Sequence, residues 1–168
     1  QLDWGQDGKA FRAQLVVPEQ RQLYDYWLAK AGSARMPRRA DIMPGEIPRM
    51  LSGISLVEVR EHMGQSRVRL AGTRLREIYD REVTGLCLDD LAWGEKRDYW
   101  MAAFERTISE GLPTQGVVLG PLLHKEHLVQ YWLRLPLRTT SEAVGMVLCF
   151  DYFMSAADRL DEDVAAIA

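Results

Sequence analysis

The stretch ISLVEVREHMGQSRVRLAGT, residues 54–73, decides the fold. Residues 54–60 and 66–71 are rich in Val, Ile and Leu, and polar side chains alternate with apolar ones through much of both runs. Such runs favour β-strands, because branched side chains pack well on a pleated surface. The segment between them, EHMGQ, is short and polar and contains Gly64, which suits a hairpin loop. The sequence therefore predicts two antiparallel strands in direct succession.

The chain downstream of this hairpin alternates between helical and extended patterns. Apolar residues recur at helical spacing from Leu75, a short helix is predicted over 88–91, and a longer one over 95–111 is ended by Gly111 and Pro113. Further strands are predicted over three segments, 114–119, 127–135 and 143–152. The order is strand, strand, helices, strand, strand, strand, which indicates an α+β domain.

The chain upstream of the hairpin carries a helix with a bulky apolar stripe. Pro18 suits a first helical turn and Gly32 suits a helix end. Between them, Leu23, Tyr26, Trp27 and Lys30 are separated by three- and four-residue steps. A stripe of this kind has to be covered by the domain or by a partner. We expect a homodimer that pairs through the helix over 19–31; the alternative is a monomer in which this helix folds back over its own sheet.

A rigid segment, RMPRRADIMPGEIPRML, joins this helix to the first strand. Its prolines fix the chain direction, and Pro44 can begin a short helix over 45–51. Asp41 can satisfy free amide groups or pair with Arg38 or Arg39. We expect Arg39 and Asp41 to form a structural clasp.

Several short motifs in this order resemble the PAS sensor fold and, more narrowly, a bacterial single-domain PAS-like family. The matching positions form three segments: Pro37, Arg39, Asp41, Pro44, Ile47, Pro48 and Leu51; Arg69, Leu70, Ala71, Gly72 and Thr73; Leu135, Pro136 and Leu137. The resemblance implies a five-stranded antiparallel sheet with short helices packed on one face and an N-terminal helix. We divide the chain into an N-terminal arm (1–17), a PAS-like domain (18–153) and a C-terminal tail (154–168) for which a helix is one option.

The composition excludes several classes of protein. The chain has 168 residues, 47% of them hydrophobic and 27% charged, which is globular composition for one domain. A net charge of -3 argues against a nucleic-acid surface, and no apolar stretch reaches the length of about 18 residues that a membrane helix needs. Cys87 and Cys149 lie apart among apolar residues and are interpreted as buried thiols. We expect a cytoplasmic protein without nucleic-acid or membrane partners.

The cofactors that the resemblance suggests do not suit this sequence. A covalent flavin photoreceptor of this fold needs a reactive cysteine in an N-C-R-type motif, whereas Cys87 stands in VTGLCLD and the chain contains no asparagine. A haem version needs an axial histidine, commonly on the long helix, and the helix over 95–111 has none. His62, His124 and His127 are predicted at turns or strand edges, so no metal site is expected. The cofactor, if there is one, stays unknown.

The candidate ligand site is an aromatic cavity between the long helix and the sheet. Strand 127–135 places one aromatic residue on each of its faces, Tyr131 on one and Trp132 on the other. We expect Trp100, Phe104 and Tyr131 to meet across the helix–sheet interface, with Trp132 as a further ligand contact, and we expect any cavity to be apolar with few polar anchors. Arg69 is a candidate for binding an anionic ligand, with a structural ion pair as its alternative.

The sequence predicts a non-enzymatic sensory or regulatory module. It carries no nucleophile elbow, no phosphate-binding glycine loop and no zinc-protease motif. We expect it to bind a small apolar ligand or a signalling protein. The alternatives are a small α+β pocket enzyme of the isomerase or cyclase type on a hydrophobic substrate, and a ligand-free scaffold. An interior acid or base beside an aromatic cavity would favour the enzyme, and the alternation pattern predicts none.

Overall fold

The computed structural model describes residues 4–167. This range contains five α-helices and five strands. The helices are α1 (Trp4–Gln14), α2 (Pro18–Ala31), α3 (Thr73–Tyr79), α4 (Arg97–Glu110) and α5 (Ala156–Ile167). The strands are β1 (Ile54–Glu58), β2 (Arg67–Ala71), β3 (Thr114–Leu119), β4 (Leu128–Arg138) and β5 (Val144–Ser155).

The strands form one antiparallel sheet in the order β2-β1-β5-β4-β3. The predicted α+β fold, with its initial hairpin of β1 and β2, is confirmed. β4 is buried without interruption from Leu128 to Leu137, so side chains on both of its faces are covered. A strand covered on both faces lies between two packed layers.

One face of the sheet is covered by α1, α2 and the segment 35–51, and the other by α3, α4 and the turns before α4. On the first face α2 is anchored by Trp27, whose indole Nε1–H donates a buried hydrogen bond of 2.9 Å to the carbonyl of Pro136. Leu23 and Trp27 are 0% and 3% exposed within the chain itself. The helix thus folds back over its own sheet, which covers two of the three stripe residues, Leu23 and Trp27, and leaves Tyr26 half-buried.

The segment 35–51 packs against the α2 side of the sheet, but its local structure differs from the prediction. The single helix expected over 45–51 is wrong: two separate 3-10 turns, Pro44–Glu46 and Leu51–Gly53, take its place. Asp41 pairs with Arg38 at 2.9 Å, in a largely exposed ion pair, whereas Arg39 donates to the carbonyl of Ile42. The clasp expected between Arg39 and Asp41 is therefore not formed, because adjacent side chains of the turn point in different directions.

Arg138, at the end of β4, holds this segment to the sheet. Its backbone N–H donates to the carbonyl of Pro37, and its guanidinium donates to the carbonyl of Met36. Pro37 and Met36 are buried, so these bonds satisfy carbonyls that water does not reach. The fastening of the segment thus depends on Arg138 more than on Asp41.

The two ends of the chain are helical where the structure describes them. Residues 1–3 of the expected N-terminal arm lie outside the described residues, but α1 follows, an ion pair joins Arg12 to Asp25 of α2, and Leu15 and Val17 are buried. The domain core therefore begins before the boundary drawn at residue 17. The tail is the helix α5, which exposes a line of three apolar side chains, Leu160, Val164 and Ile167.

The glycine of the RLAGT motif, Gly72, lies where the backbone of another segment leaves no room for a side chain. A Cβ at this position would collide with the backbone carbonyls of Leu51 and Ser52, and backbone cannot move aside as a flexible side chain can. The N–H of Gly72 also donates to the carbonyl of Ile54. The close approach fixes the end of β2 against the start of β1.

We predict that Trp27→Phe destabilises the protein by about 1–3 kcal/mol, because the buried carbonyl of Pro136 loses its donor. Urea unfolding followed by circular dichroism measures this loss. Leu28→Ala, at an exposed position of the same helix, is the control and should stay within about 0.5 kcal/mol of the wild type. An equal, small effect of both changes would contradict the role assigned to Trp27.

Candidate functional site

A cavity of about 40 Å³ lies between the sheet and the layer formed by α3 and α4. Every strand except β3 contributes to it, as do both helices and the turns between them. It is lined by Ser55, Val57, Val68, Leu75, Tyr79, Val83, Leu88, Leu91, Trp93, Trp100, Phe104, Gln130, Arg134, Cys149 and Asp151. The volume suffices for a water molecule or a molecule of a few heavy atoms, since one water needs roughly 10–15 Å³ on a comparable measure.

The cavity contains a buried ion pair. Arg134 Nη1 donates to Asp151 Oδ1 at 2.8 Å, and the two side chains are only 5% and 3% exposed. Arg134 lies opposite Cys149 and Asp151 lies opposite Trp132 in the register of β4 and β5. Residues that are directly opposite or two positions apart share a face of the sheet. Arg134 and Asp151 therefore both face α4, where Trp100 and Phe104 line the same cavity. Adjacent central strands therefore hold the pair rigidly inside the domain.

The hydrogen bonds around the pair are incomplete. Asp151 Oδ1 also accepts from Gln130 Nε2 at 2.7 Å, and Arg134 Nη1 also donates to the carbonyl of Leu133. The Nε–H of Arg134 is buried and has no partner among the described residues. A buried donor without an acceptor costs about 1–3 kcal/mol. This N–H is therefore the polar group of the cavity that most needs an acceptor.

Aromatic rings surround the guanidinium of Arg134. Its central carbon lies 5.4 Å from the ring centroid of Trp100, 5.3 Å from that of Phe104 and 5.6 Å from that of Trp132. The electron-rich faces of such rings attract a cation, most strongly where water is excluded. The enclosure therefore stabilises a charged arginine that burial alone would disfavour. The pKa of Arg134 is raised overall: burial opposes the charged form, but the combined effect of Asp151, Cys149 and Tyr79 outweighs it.

The other titratable groups of the cavity are uncharged near neutral pH. Burial raises the pKa of the Tyr79 phenol well above its usual range, and Tyr79 Oη accepts a hydrogen bond from Trp93 Nε1–H at 2.7 Å. Burial raises the pKa of the Cys149 thiol to about 11. The lining therefore carries one positive and one negative charge, which cancel.

The structure brings together three of the residues predicted for a ligand site. Trp100 and Phe104 line the cavity, and Trp132 packs beside them with its ring centroid 5.9 Å from that of Trp100. The prediction for Tyr131 is wrong. It lies on the opposite face of the sheet, beside Tyr152 at 6.3 Å, because its parity along β4 is that of Leu133 and not that of Trp132.

Arg69 lies outside the cavity. It sits on the edge strand β2, its side chain is 57% exposed, and its Nε lies 3.2 Å from a carboxylate oxygen of Glu58. This is the structural ion pair that the sequence left as an alternative.

The cavity has apolar walls with a few polar groups, but the polar residues that define it were missed. Alternation along β4 puts Gln130 and Arg134 on the same face as Trp132, but alternation alone gives neither residue a role. The available signal was Asp151, an isolated acid inside the apolar run VLCFDYF. A buried arginine in one central strand requires a nearby acid, and Asp151 is the acid of the neighbouring strand.

Two kinds of site are absent from the described part of the chain. No three side chains of His, Cys, Asp or Glu cluster there as metal ligands would. None of the helices within residues 4–167 combines the length and the apolar composition of a membrane span.

The sequence matches the PAS domain family over residues 15–149. Among solved structures, a light-oxygen-voltage domain studied with a flavin analogue superimposes with a TM-score of 0.52 at 12% identity, covering 74% of this chain and 94% of that one. An RNA-binding light-oxygen-voltage receptor gives 0.52 at 13% identity, with 76% and 38% covered. The light-state structure of the blue-light photoreceptor Aureochrome1 LOV gives 0.50 at 9% identity, with 73% and 98% covered. No curated protein is significantly similar in sequence. At these identities the solved structures establish the fold alone.

We predict that Arg134→Met lowers the free energy of unfolding by about 3–5 kcal/mol, because it leaves Asp151 buried without its cation. The double variant Arg134→Met/Asp151→Leu should lose less than this single variant, since no charge is then left alone. Chemical denaturation measures the wild type, the double variant and both single variants, Arg134→Met and Asp151→Leu. Arg69→Met, which breaks an exposed pair, is the control and should cost no more than about 1 kcal/mol. A double variant that loses the sum of both single losses would contradict the coupling.

We predict that Cys149 resists alkylation in the folded protein. Its thiol is buried and its pKa is raised to about 11, so at about pH 8 almost none of it is the reactive thiolate. Mass spectrometry of a Cys87→Ser variant treated with iodoacetamide should show the unmodified mass until denaturant is added. Labelling as fast as in the unfolded chain would show that the cavity is open.

Proposed function

Because the chain belongs to the PAS domain family, we propose that it is a sensory module whose input is a small molecule held against the Arg134–Asp151 pair. One observation carries this proposal: the Arg134 Nε–H is buried, lacks a partner among the described residues and belongs to a side chain that lines a cavity. Ligand sites combine apolar walls with a few well-placed polar groups. This cavity has that composition.

The size of the cavity favours a ligand of few atoms. Pockets for drug-sized ligands usually measure about 300–1,000 Å³, whereas this one measures about 40 Å³. The flavin analogue named for one similar light-oxygen-voltage domain suggests a flavin, but a flavin ring system does not fit here. Trp100, Phe104 and the ion pair fill the space between α4 and the sheet. We therefore assign no flavin chemistry to this chain.

A catalytic role has less support than a sensory one. Contrary to the expectation from alternation, the cavity does contain an interior acid, Asp151. Its carboxylate, however, already accepts hydrogen bonds from Gln130 and Arg134, so its Oδ1 is engaged within the domain. A general acid or base must also reach a substrate proton, and a cavity of a few atoms admits little substrate. We propose a module without enzymatic output of its own.

The connection from the cavity to α5 offers a route for the output. Asp151 lies in β5, and this strand continues to Ser155, directly before α5 begins at Ala156. The N–H of Ala156 donates to the carbonyl of His127, the residue directly before β4. A change in the pair is thus linked through two strands to the exposed apolar line of α5, which suits a signalling protein partner.

A cytoplasmic location and a homodimer stay predictions, and a dimer would have to use a surface other than Leu23 and Trp27.

Thermal unfolding in the presence of small solutes tests the proposal. The solutes are formamide, acetamide, formate, acetate, nitrate and ethylene glycol, each used alone. We expect at least one of them to raise the melting temperature. Binding at about ten times the Kd contributes about 1.4 kcal/mol, or about 3–6 °C for a domain of this size.

Two variants show whether such binding occurs in the cavity. Val83→Leu adds a methylene to the lining and should abolish the rise. Val117→Leu makes the same change at an exposed position of β3 and should leave the rise intact. No rise with any solute, or an equal rise in both variants, would contradict the inner cavity as the input.

A further inference from the structure

The ligand of this cavity can be narrowed by charge. Of the fifteen lining residues only four titrate: Tyr79, Arg134, Cys149 and Asp151. The first and third are held neutral by burial, and the other two form a pair of opposite charges. A charged ligand would therefore enter a neutral, water-poor space, and its lost hydration would not be repaid by a counter-charge.

The hydrogen-bonding groups left over by the pair are of two kinds. Arg134 Nε–H needs an acceptor. Asp151 receives its hydrogen bonds from Gln130 and Arg134 on Oδ1, which leaves Oδ2 for a further donor. A molecule that presents an acceptor and a donor on neighbouring atoms matches both needs. A carboxylate presents two acceptors and would place one of them against Asp151.

We propose, on the basis of the proposed function, that the cavity binds a primary amide of a few heavy atoms more tightly than a carboxylate of the same size. Such an amide is uncharged and carries a hydrogen-bond acceptor and a donor on neighbouring atoms. The carbonyl oxygen accepts from Arg134 and the N–H group donates to Asp151. The aromatic rings around the guanidinium exclude water and so strengthen both bonds. Formamide and formate are a matched pair for testing this preference because they differ in charge at equal size.

The test follows the Nε–H signal of Arg134 by ¹H–¹⁵N NMR while the wild-type protein is titrated with formamide or with formate. The signal is assigned by its loss in Arg134→Lys. The titration reaches about 100 mM, roughly a hundredfold above the millimolar Kd that a three-atom ligand attains at the upper limit of binding energy per atom. We expect formamide to shift the signal with a Kd at least tenfold lower than that of formate. The Nε–H of Arg69 serves as the exposed control and should not move.

A variant that removes the negative charge of the pair gives a second test. Asp151→Asn keeps the shape of the side chain but leaves Arg134 without a counter-charge. The cavity of this variant should therefore bind formate more tightly than formamide. If this variant does not fold, its recovery by formate during refolding is measured instead, and recovery by formamide alone would overturn the proposal.

The outcomes separate this inference from the proposed function. Equal or tighter binding of formate to the wild type overturns the amide preference but leaves the cavity as the input. If ethylene glycol is the single solute that raises the melting temperature, the amide preference is likewise overturned and the cavity remains the input. A signal that no solute moves would indicate a cavity filled only by water and would overturn both proposals.

Discussion

The buried pair of Arg134 and Asp151 is the constraint on which the interior of this domain depends. A charge in the core is tolerated only with a partner, so β4 and β5 must be adjacent and in the register that sets Trp132 opposite Asp151. The rings of Trp100, Phe104 and Trp132 then complete the enclosure. One donor is left over in a small cavity, and both functional proposals follow from that donor.

The second constraint is the double coverage of the central strands. Because β4 is buried on both faces, α2 and the segment 35–51 have to cover the face that α4 leaves open. The bond from Trp27 to Pro136 joins these layers at the LRLPL segment. The apolar stripe that the sequence shows on α2 is thereby largely an interior surface of the chain. Among the described residues, the most exposed large apolar side chains lie on α5.

The sequence predicted the helices and strands well, but it did not predict which side chains point toward the cavity. The hairpin at 54–71 and the helix over 95–111 follow from local patterns, as does the strand over 114–119, because periodicity and turn residues are local properties. Tyr131 and Trp132 could be assigned to opposite faces, yet alternation does not say which face meets α4 when both faces are buried. Arg69 and Arg134 look alike in sequence, and only strand order separates an edge residue from a central one. The arm and the clasp were mispredicted because their contacts depend on tertiary packing.

A crystal structure of the chain, at a resolution that shows individual waters and solutes, tests the central claim most directly. The account predicts Arg134 and Asp151 paired inside a closed cavity, with electron density for an acceptor within hydrogen-bonding distance of Arg134 Nε. Density that accounts for a small solute rather than a water would also support the proposed input. An Arg134 side chain turned to solvent, or a cavity closed by side chains around a fully paired guanidinium, would contradict the account.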